Sequence, residues 1–143
     1  MPLPEHLQLQ IVSADRSLVN ETVDEVEIPG ADGYFGVLPG HTPLLAVLGT
    51  GDLWYRQGQG EAATHHLAIT CGFAEVQPDR VTILAQVAEK AEEIDVARAE
   101  AAKKRAEARL VTPAMDMDFE RARIALMKAL IRLQVATRAR IRS

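Results

Sequence analysis

The chain has 143 residues, of which 48% are hydrophobic, and its net charge is −4. This length supports one modest core, or a small domain with an appendage. It contains no run of about 18 apolar residues, which excludes a membrane-spanning helix, and we expect no signal peptide because Met1 to Gln10 lacks a basic stretch followed by an apolar one. The single cysteine, Cys71, excludes an internal disulfide and favours a reducing compartment.

Charge is distributed unevenly along the chain. Residues 1–94 hold 14 acids against four bases, a net −10, whereas residues 95–143 hold six acids against 12 bases, a net +6. This asymmetry indicates two structural units and an electrostatic role for the second.

Residues 1–88 have the pattern of an all-β domain. Leu7, Leu9 and Ile11 alternate with glutamines, as in a half-buried strand, and Pro78 favours a turn between two later strands. Frequent glycines and prolines break the segment into short pieces, which is typical of a sandwich or barrel. We therefore predict two packed antiparallel sheets, with these residues as core candidates: Tyr34, Phe35, Trp54, Cys71 and Phe73.

Residues 89–143 have the composition of two helices. Residues 94–110 contain six alanines and no glycine or proline, Thr112-Pro113 ends the first helix, and Asp116 or Asp118 is a plausible N-cap for the second. We predict an antiparallel hairpin held by a weak seam, and therefore mobile. The predicted seam residues are Ala97, Ala101 and Ala108 on the first helix and Phe119, Ala122, Leu126, Leu130 and Leu133 on the second.

The sequence lacks a catalytic constellation. It has no phosphate loop ending in Gly-Lys-Ser/Thr, and its three serines lie outside a nucleophile-elbow pattern. His65 and His66 are adjacent, so in a strand they point to opposite faces and make a poor metal site; we interpret them as surface residues. We expect a non-catalytic protein that needs no cofactor.

One stretch carries a family resemblance. Gly36-Val37-Leu38-Pro39-Gly40-His41-Thr42-Pro43-Leu44 is similar to the Gly-x-x-Pro-Gly-His-x-Pro-Leu signature of the epsilon subunit of bacterial F-type ATP synthase. Two further blocks, residues 71–76 and 88–95, agree with it in order and spacing. The chain is identified as a member of this family over essentially its whole length.

The resemblance implies a sandwich of about ten strands and a C-terminal helix hairpin. It implies a rotor subunit that binds the gamma subunit and the ring of c subunits, lies peripherally at the cytoplasmic face of the plasma membrane, and couples proton flow to ATP synthesis. The hairpin would extend into the alpha/beta catalytic head and inhibit hydrolysis. The loop segment around Tyr34 and His41 would face the c-ring, although Tyr34 replaces an acid found in many relatives.

A finer motif, from Ile94 to Ala99, resembles the Ile/Leu-Asp-x-x-Arg-Ala motif of epsilon subunits that bind regulatory ATP. Lys128 departs from the arginine that such relatives have, and it loses the bidentate fork. The alternative reading is a capping aspartate with ordinary solvated helix charges. The implied ATP-binding residues are Glu89, Asp95, Arg98, Ala99, Arg105, Lys128 and Arg132.

A second function class, a nucleic-acid-binding module that uses the basic hairpin, is disfavoured. The bases alternate with alanines and acids, and no aromatic residue follows Phe119. Stacking platforms for bases are therefore missing from most of the hairpin.

Overall fold

The computed structural model of the protein describes residues 3–111 and 118–142, with side chains in the last helix described as far as Arg138. Within these residues, two 3₁₀ turns (Glu61–Ala63 and Ala91–Glu93) flank the last two strands. The strands are β1 (Leu7–Ser13), β2 (Ser17–Val23), β3 (Glu25–Gly30), β4 (Gly33–Val37), β5 (Leu44–Arg56), β6 (Thr64–Gln77) and β7 (Arg80–Lys90), and the helices are α1 (Val96–Val111) and α2 (Phe119–Arg142).

The strands form one continuous sheet in the order β2-β1-β7-β6-β5-β3-β4. A single core cluster joins residues from both ends of that order, including Leu9 of β1 and Val37 of β4. The sheet must therefore fold over on itself, which confirms the predicted β-sandwich.

Two details of the predicted sheet are wrong. The described residues hold seven strands rather than about ten, and two of the seven, β5 and β6, are long, at 13 and 14 residues. The β1–β7 pair is parallel, while the other pairs are antiparallel. The parallel pair joins the first strand to the last, so it is a long-range contact that no local sequence pattern encodes.

A kink divides β6 at Cys71 and Gly72. Both have positive φ, 54° at Cys71 and 134° at Gly72, and the first half of β6 is buried on both faces while the second half alternates. Cys71 is exposed at this kink, so the prediction that it belongs to the core is wrong.

The aromatic core prediction is also largely wrong. Tyr34 and Phe73 are more than half exposed, and Phe35 and Trp54 are only partly buried. Aliphatic residues from Leu7 to Ile83 fill the core instead, because the inward positions of the alternating strands carry leucine, isoleucine and valine.

The helix hairpin is confirmed, but the predicted seam is misplaced. Ala99 and Ala106 are the buried residues of α1, whereas Ala97, Ala101 and Ala108 are exposed. Alanines occur all around this helix, so composition could not select the buried face.

In α2, the predicted stripe is partly wrong: Phe119 and Leu130 are about half exposed, Leu126 and Leu133 are partly buried, and Ala122 is buried. Asp118 caps α2, with the Arg121 amide donating to its Oδ1 at 3.1 Å. Asp116 and Thr112-Pro113 lie outside the described residues.

The helix α2 rests on the sandwich through a small second core. Its Val135 and Ala136 pack with Ala68 of β6 and with Ala91 and Ile94 of the connection that leads to α1. These residues are mostly small, so the contact buries little apolar area and stabilises the docked hairpin only modestly.

Candidate functional site

A cleft of about 400 Å³ opens where the hairpin meets β6 and β7. Across the strand pair, Ala68 lies opposite Glu89 and Thr70 opposite Val87, and since alternate residues share a face, all four line the cleft. The helices contribute the other wall, with residues spaced three and four apart on one face: Arg98 and Ala102 from α1, and Ala125, Lys128, Ala129, Ile131 and Arg132 from α2.

An ion pair spans this cleft from β7 to α2. Nε of Arg132 lies 2.7 Å from Oε1 of Glu89, and Nη2 donates to Oε2 at 3.1 Å. The Nε–H bond does not point at the carboxylate oxygen, so this nitrogen is a buried donor without a hydrogen-bond acceptor among the described residues. Buried donors in this state are costly and are commonly completed by a ligand or water.

The start of α1 is fixed by Asp95. The Arg98 amide donates to Oδ1 of Asp95 at 3.1 Å, and the Ala99 amide donates to its carbonyl oxygen at 3.0 Å. Asp95 is therefore the N-cap, as the alternative sequence interpretation has it.

The structure brings four of the seven ATP-motif residues to one cleft: Glu89, Arg98, Lys128 and Arg132. The other three lie elsewhere. Asp95 caps the helix, Ala99 is fully buried in the helix seam, and Arg105 is exposed and absent from the lining. Arg105 is seven residues beyond Arg98, or roughly 10 Å further along the helix axis.

Thr70 and Val87 also line the cleft, and sequence reasoning missed them. Thr70 is a buried polar residue, and Leu67 to Thr70 are four consecutive buried positions in β6. A half-exposed strand buries alternate residues only, so this uninterrupted run of apolar and small residues was the available signal that something covers the second face.

The predicted rotor-contact residues occupy different environments. Tyr34 in edge strand β4 lies over Gly51, and its hydroxyl accepts a hydrogen bond from the Asp52 amide at 3.1 Å. It lines a cleft with Gln134 and Arg138 of α2. His41 lies in the turn between β4 and β5, where its Nδ1 is 2.6 Å from the Thr42 carbonyl oxygen.

The adjacent histidines do point to opposite faces, but neither is a plain surface residue. His65 stacks on Tyr55, with ring centroids 5.0 Å apart. His66 is largely buried against Asp52, with Nδ1 3.0 Å from Oδ1. Over the described residues, no group of three or more His, Cys, Asp or Glu could hold a metal ion.

An ion pair ties the connection between sheet and hairpin to the sheet. Arg16, in the β1–β2 turn, donates to both carboxylate oxygens of Glu93 in the 3₁₀ turn before α1. These hydrogen bonds, followed by the charge of Arg16, lower the pKa of Glu93 below its ordinary value. Between β2 and β3, hydrogen bonds from the Gly58 amide and then from His6 similarly lower the pKa of Asp24.

An exposed apolar row crosses three strands on the face of the sheet that carries Phe73. Val47, Phe73 and Leu84 are direct neighbours across β5, β6 and β7, and each is more than half exposed. We call these three residues the apolar row. Contiguous exposed apolar surface of this kind marks interaction sites.

Two family models match successive parts of the chain. Residues 6–91 match the β-sandwich domain of the ATP synthase delta/epsilon chain, and residues 92–137 match its long α-helix domain. The ATP synthase epsilon chain of Solibacter usitatus is 46% identical over 134 residues, covering 94% of this chain and 98% of the relative. That of Syntrophobacter fumaroxidans is 48% identical with the same coverage.

Solved structures agree. A chain of the Euglena gracilis mitochondrial ATP synthase (OSCP/F1/c-ring) has a TM-score of 0.79 at 26% identity, covering 99% of this chain and 84% of that one. A chain of the Tetrahymena thermophila mitochondrial ATP synthase (central stalk and c-ring) shares the fold, with a TM-score of 0.59 at 15% identity, covering 93% and 95%. The nucleic-acid alternative gains no support from these comparisons, and the resemblance inferred from the sequence is confirmed: the chain belongs to the delta/epsilon chain family of ATP synthases.

Proposed function

We propose that this chain is a non-catalytic subunit of the central stalk of a bacterial F-type ATP synthase, coupling proton flow to ATP synthesis and regulating hydrolysis. The observation that carries the proposal is the unbroken match to both family domains across residues 6–137. The chain would lie peripherally at the cytoplasmic face of the plasma membrane. In the part of the chain that the structure describes, no helix is long and apolar enough to cross a membrane.

The test is co-purification. Tagged chain expressed in a bacterial host should recover a membrane ATPase, with gamma and c subunits identified by mass spectrometry. Recovery of the free chain alone, under conditions where the ATPase stays assembled, would contradict a rotor role.

The apolar row is the surface we assign to the gamma subunit. Its three side chains are more than half exposed, and their burial by an apolar partner surface would stabilise binding at about 25 cal/mol per Å². Phe73→Asp should therefore release the chain from the ATPase. Val111→Asp is the matched control, because Val111 is 81% exposed and lies on α1, away from the row.

We assign the c-ring contact to the β4–β5 turn with His41, together with Tyr34 on edge strand β4. Loops on a rigid scaffold often carry binding, and this turn follows an edge strand of the sheet. Replacing both residues with alanine should weaken the coupling of proton flow to ATP hydrolysis in reconstituted vesicles and leave hydrolysis by the soluble head intact. Unchanged coupling would remove this segment from the interface.

The hairpin, residues 89–143, is proposed as a mobile regulatory unit and residues 1–88 as the rotor-binding unit. The small second core and the basic charge of the hairpin support this division, since a weakly docked element is easily released and acidic surface on the alpha/beta head would attract it. A chain shortened to end at Lys90, the last residue of β7, should stay folded, bind the ATPase and hydrolyse faster in the assembled head. If circular dichroism shows the fragment to be unfolded, residues 1–88 are not an independent unit. If the rate of ATP hydrolysis is unchanged, the hairpin does not regulate it.

The hairpin cleft is proposed as a regulatory ATP site. Three bases converge there (Arg98, Lys128 and Arg132), and the buried Nε of Arg132 offers a donor for a phosphate oxygen. Hydrogen bonds to charged groups are worth roughly 1.5–3 kcal/mol, so Arg98→Ala should weaken ATP binding by roughly 10- to 150-fold in calorimetry of the isolated chain. Lys128→Arg should tighten it by restoring the fork, and Arg109→Ala, on the same helix but outside the cleft, should change nothing. An absence of heat at millimolar ATP would remove the nucleotide from the proposal.

A further inference from the structure

The three bases of the hairpin cleft are not equally available to an anion. Arg132 already binds the Glu89 carboxylate at 2.7 and 3.1 Å. Arg98 and Lys128, in contrast, form no salt bridge with a carboxylate among the described residues. The cleft therefore has two cations without a salt bridge in the described part of the chain, Arg98 and Lys128, and a third, Arg132, whose charge is balanced by Glu89.

The position of Glu89 places its carboxylate on the same edge of Arg132 that an anionic ligand would use. Glu89 lies opposite Ala68 on the sheet face that lines the cleft, and its two oxygens meet the Nε and Nη2 edge of Arg132. That edge is the one a phosphate would use for a bidentate contact. Both side chains are only about a quarter exposed, at 27% for Glu89 and 21% for Arg132, so water screens their attraction only partly.

We propose that Glu89 is a built-in anion that occupies the phosphate position on Arg132 and must leave it when a polyphosphate binds. This inference rests on the proposed nucleotide site and deepens it by naming what regulates the affinity of that site. It differs from what the family motif implies, where Glu89 would help to hold the ligand.

The same pair joins β7 to α2, so it also affects docking of the hairpin when no ligand is bound. In the absence of ATP, the Glu89 carboxylate would take the place of a phosphate on Arg132 and so keep α2 docked on the sheet. When ATP binds, its phosphate replaces the Glu89 carboxylate on Arg132. ATP binding therefore changes the docking of the hairpin less than it would without Glu89. A chain without the Glu89 charge should depend more strongly on ATP to keep the hairpin docked.

The direct test is Glu89→Gln, which removes the charge and keeps both the size and an acceptor oxygen. Calorimetry of the full chain should show ATP, and inorganic tripolyphosphate as an anion without a base, binding about fivefold more tightly than to wild type. This is the factor that corresponds to loss of one partly exposed ion pair. Glu93→Gln is the matched control, because it breaks the Arg16 ion pair outside the cleft and should leave both affinities unchanged.

Docking is read separately from Trp54, the single tryptophan, which shares a cleft with Gln134 and Arg138 of α2. Without ligand, Glu89→Gln should shift Trp54 emission toward that of the chain ending at Lys90, and ATP should restore the wild-type spectrum. Circular dichroism checks that the variant is folded.

The outcomes separate the two proposals. Equal or weaker ATP binding by Glu89→Gln overturns the role of Glu89 and leaves the nucleotide site standing. Tighter tripolyphosphate binding with no response to ATP in any variant supports anion competition and overturns the nucleotide. No binding of either probe to any variant overturns both.

Discussion

Asp52 and His66 bond to each other beneath the C-terminal helix. Nδ1 of His66 lies 3.0 Å from Oδ1 and 3.1 Å from Oδ2 of Asp52, and Asp52 is only 6% exposed. Gln134 and Arg138 of α2 line the cleft above them. A buried carboxylate is tolerated only with a partner, so this pair should matter for the stability of the sandwich.

His66→Phe should lower the free energy of unfolding by about 1–3 kcal/mol, because it leaves Asp52 buried without its side-chain partner. Urea denaturation followed by circular dichroism measures this. Replacing both residues with leucine should recover most of the loss, since no polar group is then stranded. If the double variant is as unstable as the single one, the pair is not the cause.

Ala99→Leu should force the two helices apart, since Ala99 is fully buried between them. Overpacking of this kind costs roughly 1–3 kcal/mol. Ala97→Leu, two residues earlier on an exposed face, should be close to neutral. Helical circular dichroism and Trp54 emission during thermal melting distinguish the two variants, and equal effects would mean that the seam runs along the other face.

Gly72→Ala should destabilise the sandwich strongly. Gly72 has φ 134°, and a Cβ there would overlap the carbonyl oxygen of Leu84 and lie 2.9 Å from Cα of Ala85 on the neighbouring strand. Strained backbone alone costs roughly 1–3 kcal/mol. Gly36→Ala is the matched control, because open space surrounds that position. Denaturant midpoints for the two variants should differ clearly, and similar midpoints would show that the kink relaxes.

Asp95→Asn separates capping from ligand binding. Asparagine caps helices as well as aspartate does, so the thermal stability of the hairpin should stay unchanged, whereas Asp95→Ala should cost about 1 kcal/mol. ATP affinity should also be unchanged in Asp95→Asn if this residue only caps α1. A loss of affinity without a loss of stability would place Asp95 at the ligand, as the family motif implies.

Arg105→Ala distinguishes the motif from the cleft geometry. Arg105 is a motif residue but is absent from the cleft lining, so its removal should leave calorimetric ATP affinity at the wild-type value. Arg98→Ala, on the cleft wall, should weaken binding by roughly 10- to 150-fold in the same assay. Equal losses in both variants would require a ligand that reaches well beyond the cleft.

Glu93 should stabilise the fold only when its carboxyl group is ionised. Its folded-state pKa lies below its ordinary value of 4.5, so the contribution is present above that value and is lost as the pH falls through the folded-state pKa. Wild type should exceed Glu93→Gln at pH 7 by less than about 1 kcal/mol, because the pair is well exposed. Urea denaturation at a series of pH values below 4.5 should show the difference shrinking as Glu93 becomes protonated, and a difference that does not change with pH would contradict an electrostatic origin.

Local patterns in the sequence determined the kinds of element and several of their ends. Alternation in Leu7, Leu9 and Ile11 predicted β1, and the alanine-rich run predicted α1. Asp95 and Asp118 cap the two helices as side chains of their type do at such positions. Each of these features depends on a few residues close together in the chain, which is why composition and spacing suffice to predict them.

The tertiary structure alone decided which faces meet. Six alanines in α1 offered several equivalent seams, and only docking against α2 selected Ala99 and Ala106. The meeting of Glu89 and Arg132, 43 residues apart in the chain, depends on the path of β7 and on how α2 lies across the sheet. The sequence by itself therefore specified a sandwich, a helix hairpin and a family, whereas long-range packing, which no local period encodes, fixed the strand count, the buried helix faces and the charge balance of the cleft.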